Sequence, residues 1–114
     1  MRVAYEPLFL AAGVSAVFSG HVHAYERSTP VYDNEVMADG EGIVHFNTGD
    51  GGASLYRNWI ANIPPTSAYH TAEFGYSLFT IENATHAHFE WLRNVDDDRV
   101  VADETWVVNV HKAR

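Results

Sequence analysis

Two His-x-His pairs are the groups in this sequence best suited to bind a metal ion, because imidazole is a good ligand for transition metals. His21 and His23 lie in the run Gly20-His21-Val22-His23, directly after a predicted strand. A glycine-preceded loop at a strand end allows the backbone to turn both rings toward one point. Since two histidines do not complete a tetrahedral site, their spacing alone is compatible with metal binding or with simple contact with water.

The second pair, His86 and His88, lies inside a predicted strand, where successive side chains point to opposite faces of the sheet. Both histidines share a face with Glu90, and the opposite face carries three apolar side chains, Ala87, Phe89 and Trp91. We therefore interpret the second pair as structural, on the wet side of a half-buried sheet.

Three further histidines have no companions that suggest chemistry. His45 alternates with Val44 and Phe46 in a predicted strand, so we expect it to be packed or solvated. His70 falls in a predicted loop, and His111 has no constellation around it.

The elements that would position His21 and His23 have the pattern of an α/β unit. Leu8–Ala12 followed by Gly13 is typical of a helix end, with Pro7 tolerable only in a first turn or at a kink. Val14–Ser19 then predicts a short buried strand. A helix, a glycine and a buried strand form the second half of an α/β unit. Ligands in such sheets collect just beyond the carboxyl ends of strands, which is where this histidine pair lies.

The rest of the chain is predicted to be mainly antiparallel β structure. A strand from Gly42 to Thr48 precedes a glycine-rich turn, and a long surface loop from Ala53 to roughly Glu73 follows. Three antiparallel strands with intervening turns complete the chain: Tyr76–Glu82, the turn Asn83-Ala84, Thr85–Arg93, the turn Asn94–Asp98, and Arg99–Val110. Asp97-Asp98 is most simply a solvated part of the second turn.

The glycine-rich turn Gly49-Asp50-Gly51-Gly52 has two interpretations. It lacks the spacing and the lysine of a nucleotide-binding P-loop. It is either a tight turn whose glycines adopt positive φ, or a loop that approaches an active site closely.

Composition and charge exclude several classes of protein. With 46% hydrophobic residues and no low-complexity segment, the 114-residue chain can form a packed core. The formal net charge of -8 argues against a nucleic-acid partner, because phosphate backbones are held mainly by Lys and Arg. The absence of cysteine removes disulfides and thiolate ligands. No apolar run is long enough to predict a membrane partner, and no signal-peptide core is present.

The run from Val17 to Arg27 resembles the last metal-binding motif of the purple acid phosphatases. Gly-His-x-His alone is shared across the calcineurin-like metallophosphoesterases, whereas the continuation Ala24-Tyr25-Glu26-Arg27 is much narrower. Further matches follow in the expected order: Gly49-Asp50-Gly51-Gly52, Phe74-Gly75, Asn83–Trp91, Arg93-Asn94 and Ala102–Trp106. His45 and Asn47 depart from the family, which is usually more hydrophobic at these strand positions.

The resemblance implies an α/β (α+β) fold, the C-terminal part of a calcineurin-like αββα sandwich: helix, strand and loop, then an antiparallel β meander. Residues 1–114 would be one C-terminal segment of a metallophosphoesterase domain. Residues 1–30 would end the metal-binding core, and residues 31–114 would form the C-terminal β segment. We expect a free edge on Val14–Ser19 and an uncovered apolar face, and hence marginal stability or aggregation of the segment alone.

The resemblance also implies a chemistry, the hydrolysis of phosphate monoesters at acidic pH. The cofactor would be a dinuclear centre of ferric iron plus a divalent ion (zinc, manganese or iron). His21 would bind the divalent ion and His23 the ferric ion. No catalytic residue is expected in this segment, because the family's other ligands and assisting histidines belong to motifs that precede it. Two neutral imidazoles cannot hold such a pair of ions against water, so we expect the segment to be inactive alone.

Other interpretations remain open at this point. Another metallophosphoesterase, such as a nucleotidase or phosphodiesterase, would share Gly-His-x-His, and a truncated non-catalytic β-rich binding module would have lost the chemistry. The resemblance is compatible with a homodimer. It also implies a secreted or vacuolar/lysosomal location, which the glycosylation pattern Asn83-Ala84-Thr85 supports weakly.

Overall fold

A computed structural model of the protein describes residues 2–59, 61–96 and 100–110. These residues form one helix and nine strands. In chain order the elements are α1 (Arg2–Ala12), β1 (Ala16–Ser19), β2 (Tyr25–Ser28), β3 (Val31–Tyr32), β4 (Glu35–Val36), β5 (Val44–Thr48), β6 (Ser67–Thr71), β7 (Gly75–Ile81), β8 (His86–Arg93) and β9 (Val101–Val108). None of the helical structure in these residues is long and apolar enough to cross a bilayer.

The strands are arranged in three sheets. A four-stranded sheet has the order β1-β5-β2-β6, in which β1 and β5 are parallel and the other pairs are antiparallel. A two-stranded hairpin pairs β3 with β4, and an antiparallel meander has the order β7-β8-β9. The mixed α+β class and the antiparallel meander predicted from the sequence are confirmed.

The end of α1 follows the prediction closely. Gly13 has φ 84°, its N–H donates to the Leu10 carbonyl, and the Val14 N–H donates to the Phe9 carbonyl. This is the glycine-terminated cap that satisfies the last carbonyls of a helix. Pro7 lies in the middle of α1, past its first turn, which leaves the kink as the predicted alternative. Proline removes the hydrogen bond to the carbonyl four residues earlier, which belongs to the solvent-exposed Val3 and is accessible to water.

Strand β1 has the predicted position but not the predicted burial. Within the described residues it pairs with β5 alone, so its other edge is free, as expected. Phe18 is 46% exposed and Ser19 is also exposed, so the prediction of a buried strand is wrong. A parallel strand is ordinarily covered on both faces, and β1 lacks such cover here.

The predicted long loop from Ala53 to Glu73 is wrong in its last part, which contains β6. This strand pairs with β2, a strand the sequence did not predict, and joins Arg27 to Tyr69 and Glu26 to His70. Neither strand has a strong alternation of apolar and polar residues. Their stability as strands therefore depends on their pairing with each other and with the rest of the sheet.

The hydrophobic core lies between the four-stranded sheet and the meander. Its largest contacts are two stacked aromatic pairs, Tyr25 on Trp91 with centroids 4.6 Å apart and Phe46 on Phe89 with centroids 4.0 Å apart. The other buried members are Val44, Ala87 and Val107. Strand β8 thus buries Ala87, Phe89 and Trp91, as its alternation predicted.

The solvent-facing side of β8 carries the second histidine pair. His86 is exposed, and the His88 ring stacks on Trp106 and has Nε2 3.2 Å from Glu104 Oε2. These contacts agree with the structural interpretation of that pair. The predicted strand Arg99–Val110 is found as Val101–Val108. Asp97-Asp98 and His111 lie outside the described residues.

Candidate metal centre

His21 and His23 lie in the loop that connects β1 to β2, at the carboxyl end of β1. His21 is exposed and His23 is half-buried. His21 adopts φ 75°, a conformation that is uncommon for any residue other than glycine. The loop turns tightly, because the Val22 N–H donates to Gly20 and the Ala24 N–H donates to Val22. Such backbone strain, held by its surroundings, is frequent at functional sites.

The segment after the glycine-rich turn holds His23 in place. The Tyr56 N–H donates to the His23 carbonyl over 2.8 Å. Ser54 Oγ lies 3.4 Å from His23 Nδ1, a long hydrogen bond whose direction depends on the tautomer of the ring. A partner on one ring nitrogen fixes the orientation of the ring and leaves Nε2 available to an ion.

The Gly49-Asp50-Gly51-Gly52 turn lies beside the histidine loop. Of the three glycines in the turn, Gly52 alone has a positive φ, of 154°, as a tight turn predicts. Gly49 lies directly against the histidine loop, since a Cβ built there would lie 2.1 Å from the Val22 carbonyl oxygen. Asp50 is buried and accepts a 2.7 Å hydrogen bond from Trp91 Nε1. The turn therefore connects the histidine loop to the aromatic core.

The Ala24-Tyr25-Glu26-Arg27 continuation is structural. Tyr25 Oη donates to Asp103 Oδ2 over 2.6 Å. Arg27 donates to both oxygens of the same carboxylate, from Nε over 2.9 Å and from a terminal nitrogen over 3.0 Å. Burial, and then the hydrogen bond to Asp103, raise the pKa of Tyr25 well above its ordinary value. The hydrogen bond to Asp103 also raises the pKa of Arg27.

We call Tyr25, Arg27 and Asp103 the β2–β9 clamp, because they fasten the strand after the histidine loop to the last strand of the meander. The sequence analysis did not identify this cluster. Asp103 belongs to a matched motif, but nothing local indicates that it meets residues 76 and 78 positions away.

His45 and His70 are not part of the histidine loop. His45 lines a cavity of about 490 Å³ between α1 and the four-stranded sheet, together with Phe9 and Val17. Burial lowers the pKa of His45. The His70 ring packs against Trp59, with centroids 4.5 Å apart.

The donor set limits what this site can hold. Among residues 2–59, 61–96 and 100–110, no three His, Cys, Asp or Glu side chains are grouped so as to hold a metal ion. His21, which is exposed, and His23, which is half-buried, are imidazole donors of the right kind, but they are two of the four to six ligands that such ions require. They fit a metal centre that is completed by further ligands.

The fold and the histidine loop together are those of the C-terminal part of a calcineurin-like metallophosphoesterase. Residues 42–104 match the family model described as "Iron/zinc purple acid phosphatase-like protein C". The chain belongs to the purple acid phosphatase family.

Several curated relatives match nearly the whole chain. Purple acid phosphatase 5 of Arabidopsis thaliana is 42% identical over 123 residues, covering 96% of this chain and 30% of that protein. The purple acid phosphatase of Glycine max is 43% identical over 120 residues, covering 96% of this chain and 26% of that protein. Fe(3+)-Zn(2+) purple acid phosphatase 12 of Arabidopsis thaliana is 40% identical, covering 96% and 26%. The chain thus spans about a quarter to a third of the length of these relatives.

A solved structure supports the fold. The structure of a purple acid phosphatase from yellow lupin (Lupinus luteus) seeds superposes with a TM-score of 0.77 at 24% sequence identity. The match covers 90% of this chain and 19% of the lupin chain. The fold of this chain is therefore that of one portion of a longer phosphatase.

Proposed function

We propose that this chain is the part of a purple acid phosphatase that supplies His21 and His23 to a dinuclear metal centre. The reaction would be the hydrolysis of phosphate monoesters at acidic pH. The observation that carries the proposal is the position of both imidazoles in a strained loop at the carboxyl end of β1. The name of one relative, an Fe(3+)-Zn(2+) purple acid phosphatase, supports a centre of ferric iron plus a divalent ion.

The proposed roles of the two histidines differ. His21 would hold the divalent ion (zinc, manganese or iron) and His23 the ferric ion. When bound, the ions supply positive charge that binds and polarises the oxygens of the phosphate ester. The chain's own part is to present two neutral imidazoles at fixed positions. The strained backbone at His21 and the Ser54 contact on His23 both serve that positioning.

The isolated 114-residue chain is expected to be inactive toward phosphate monoesters. The family's carboxylate ligands belong to motifs that this sequence lacks, and two imidazoles leave most of the positive charge of the ions uncompensated. The chain should nevertheless bind Zn²⁺ weakly through the histidine loop. Replacing His21 or His23 by alanine should weaken this binding about tenfold or more, since a ligand is lost.

Isothermal titration with Zn²⁺, together with an assay on p-nitrophenyl phosphate, tests this proposal. His86→Ala is the matched control, because His86 belongs to the other His-x-His pair and is exposed on β8. Equal losses in the control and in the His21 or His23 variants would show nonspecific histidine binding and remove the proposed roles. Turnover by the isolated chain would contradict the expected inactivity. The alternative function that remains compatible with the family match is a non-catalytic β-rich binding module. That alternative predicts no Zn²⁺ binding in the histidine loop.

We also propose that Asn83 is an N-glycosylation acceptor, which rests on a secreted or vacuolar/lysosomal location. Asn83 lies in the exposed turn between β7 and β8. Its Oδ1 accepts hydrogen bonds from the Thr85 N–H and from Thr85 Oγ1, both over 2.8 Å. The acceptor amide and the hydroxyl of the Asn-x-Thr triplet are therefore in contact.

Expression of the chain behind a signal peptide in a eukaryotic secretory host tests this modification. Intact mass spectrometry should show added mass that peptide N-glycosidase removes and that is missing from Asn83→Gln. Asn109→Gln should keep the added mass, because Asn109 is not in an Asn-x-Ser/Thr triplet. An unmodified secreted chain would contradict the assignment.

A further inference from the structure

The side chain of Asn47 connects strand β5 to the histidine loop. Its Nδ2 lies 2.9 Å from the Val22 carbonyl oxygen and 2.7 Å from the Ala24 carbonyl oxygen. These two carbonyls belong to the residues on either side of His23. The amide of Asn47 therefore binds the backbone on both sides of His23, the proposed metal ligand.

The position of Asn47 in the sheet explains how it reaches both carbonyls. In the parallel ladder it pairs with Ser19, the last residue of β1, and in the antiparallel ladder it pairs with Glu26 in β2. Asn47 thus lies level with the point where the chain leaves β1 and the point where it enters β2. The loop spans the gap between these two strands, directly beyond this residue.

Asn47 adds to the hydrogen bonds that the loop makes within itself. The Val22 N–H donates to Gly20 and the Ala24 N–H donates to Val22, so both groups satisfy acceptors within the loop. The Ala24 residue is fully buried. The Val22 carbonyl therefore accepts from both the Ala24 N–H and Asn47. An unpaired carbonyl at the buried Ala24 would be costly, and an amide with two N–H groups is a side chain that can reach both acceptors.

The amino-acid type at this position also requires an explanation. Val44 and Phe46 of β5 face the core, whereas His45 and Asn47 face the other side and are half-buried. Asparagine is depleted in strands, where β-branched and aromatic residues are preferred. Its two hydrogen bonds to the loop supply the reason for its presence.

We propose that Asn47 is a positioning residue for the His21–His23 loop, an inference that rests on the proposed metal-binding function. Asn47 does not itself bind an ion. It holds the backbone on both sides of His23 and thereby fixes the direction in which the ring projects. Its removal should loosen the loop and weaken metal binding while leaving the aromatic core intact.

The test compares Asn47→Leu with Asn109→Leu in the full chain. Each substitution removes an amide that donates to a backbone carbonyl, but Asn109 donates to Ala84, in the turn between β7 and β8. Without metal, amide hydrogen exchange at Ala24 should be about tenfold faster in Asn47→Leu, from the loss of two hydrogen bonds. In a titration with Zn²⁺ alone, binding detected by NMR at His21 and His23 should be about tenfold weaker. Asn109→Leu should change neither quantity.

The two readouts separate failure of this inference from failure of the proposed function. Unchanged Ala24 exchange in a folded Asn47→Leu variant overturns the positioning role, whatever the metal result. If the wild-type chain shows no Zn²⁺ response at His21 and His23, the metal-binding function fails, and the exchange result still decides whether Asn47 holds the loop. Asn47→Asp, which keeps the shape and lacks the donors, repeats the test if the leucine variant does not fold. Asn47→Gln, which keeps an amide, should recover part of the exchange protection.

Discussion

Replacing Asp103 with alanine is expected to lower the free energy of unfolding by about 3–5 kcal/mol, the range found when one partner of a buried charge pair is removed. Asp103 accepts three hydrogen bonds, one from Tyr25 and two from Arg27. The side chains of Arg27 and Asp103 are only 16% and 7% exposed, so water cannot replace the lost carboxylate easily. The β2–β9 clamp would be left with a buried guanidinium and a buried phenol without their acceptor.

Asp96→Ala is the matched control for the Asp103 variant. Asp96 forms the same bidentate contact with Arg93, over 2.7 and 3.0 Å, but the Arg93 side chain is 37% exposed and remains accessible to water. Because water can solvate the Arg93 guanidinium when the carboxylate is removed, this variant should unfold much closer to the wild-type midpoint than the Asp103 variant does. Urea unfolding followed by tryptophan fluorescence measures both. Equal midpoints for the two variants would mean that the β2–β9 clamp does not stabilise the fold.

The pH dependence of the β2–β9 clamp follows from Tyr25. Its pKa is raised in the folded state by burial and by Asp103. The contribution of Tyr25 to stability is therefore complete below the pKa of an unfolded tyrosine, about 10, and is lost as the pH rises above that value. The acidic conditions of the proposed reaction leave this contribution of Tyr25 unchanged.

Gly49→Ala is expected to displace the histidine loop and to weaken Zn²⁺ binding by about tenfold or more. A Cβ at this position would lie 2.1 Å from the Val22 carbonyl oxygen and 2.9 Å from its carbonyl carbon. Both atoms are backbone, so the clash cannot be relieved by rotating a side chain. Overpacking of this kind typically costs about 1–3 kcal/mol, and here the loop that carries His21 and His23 would have to move.

Gly51→Ala provides the comparison, because no atom lies within 4 Å of a Cβ built at Gly51 and its φ is not in the positive region. That variant should bind Zn²⁺ and unfold as the wild type does. Titration calorimetry and urea unfolding measure both properties. If Gly49→Ala matched Gly51→Ala in both measurements, the close approach of the glycine-rich turn to the histidine loop would contribute neither to metal binding nor to stability.

The meander was predictable because its strands carry their signal locally. In β8, the alternation of Ala87, Phe89 and Trp91 with polar residues shows which face is buried, and the structure confirms it. Strand β2 gives no such signal, since Glu26, Arg27 and Ser28 look polar. Its stability comes from distant partners, including a 2.7 Å hydrogen bond from Ser67 Oγ to Glu26. Secondary structure that depends on long-range pairing cannot be read from a short window.

The candidate site divides in the same way. The position of His21 and His23 after a strand follows from their immediate neighbours. The groups that hold the loop, Asn47 and Gly49, come from β5 and its turn, and their roles depend on which strands lie beside β5. Sequence order does not show that β5 separates β1 from β2.

The β2–β9 clamp has a consequence for the order in which the protein can be made on the ribosome. Arg27 and Tyr25 are synthesised 76 and 78 residues before Asp103. At a translation rate of about 5–20 residues per second, the carboxylate of Asp103 is synthesised about 4–15 seconds after the guanidinium and the phenol that donate to it. The strand that follows the histidine loop cannot reach its final state as it emerges from the exit tunnel. Folding of this segment is therefore completed only after nearly all of it has been translated.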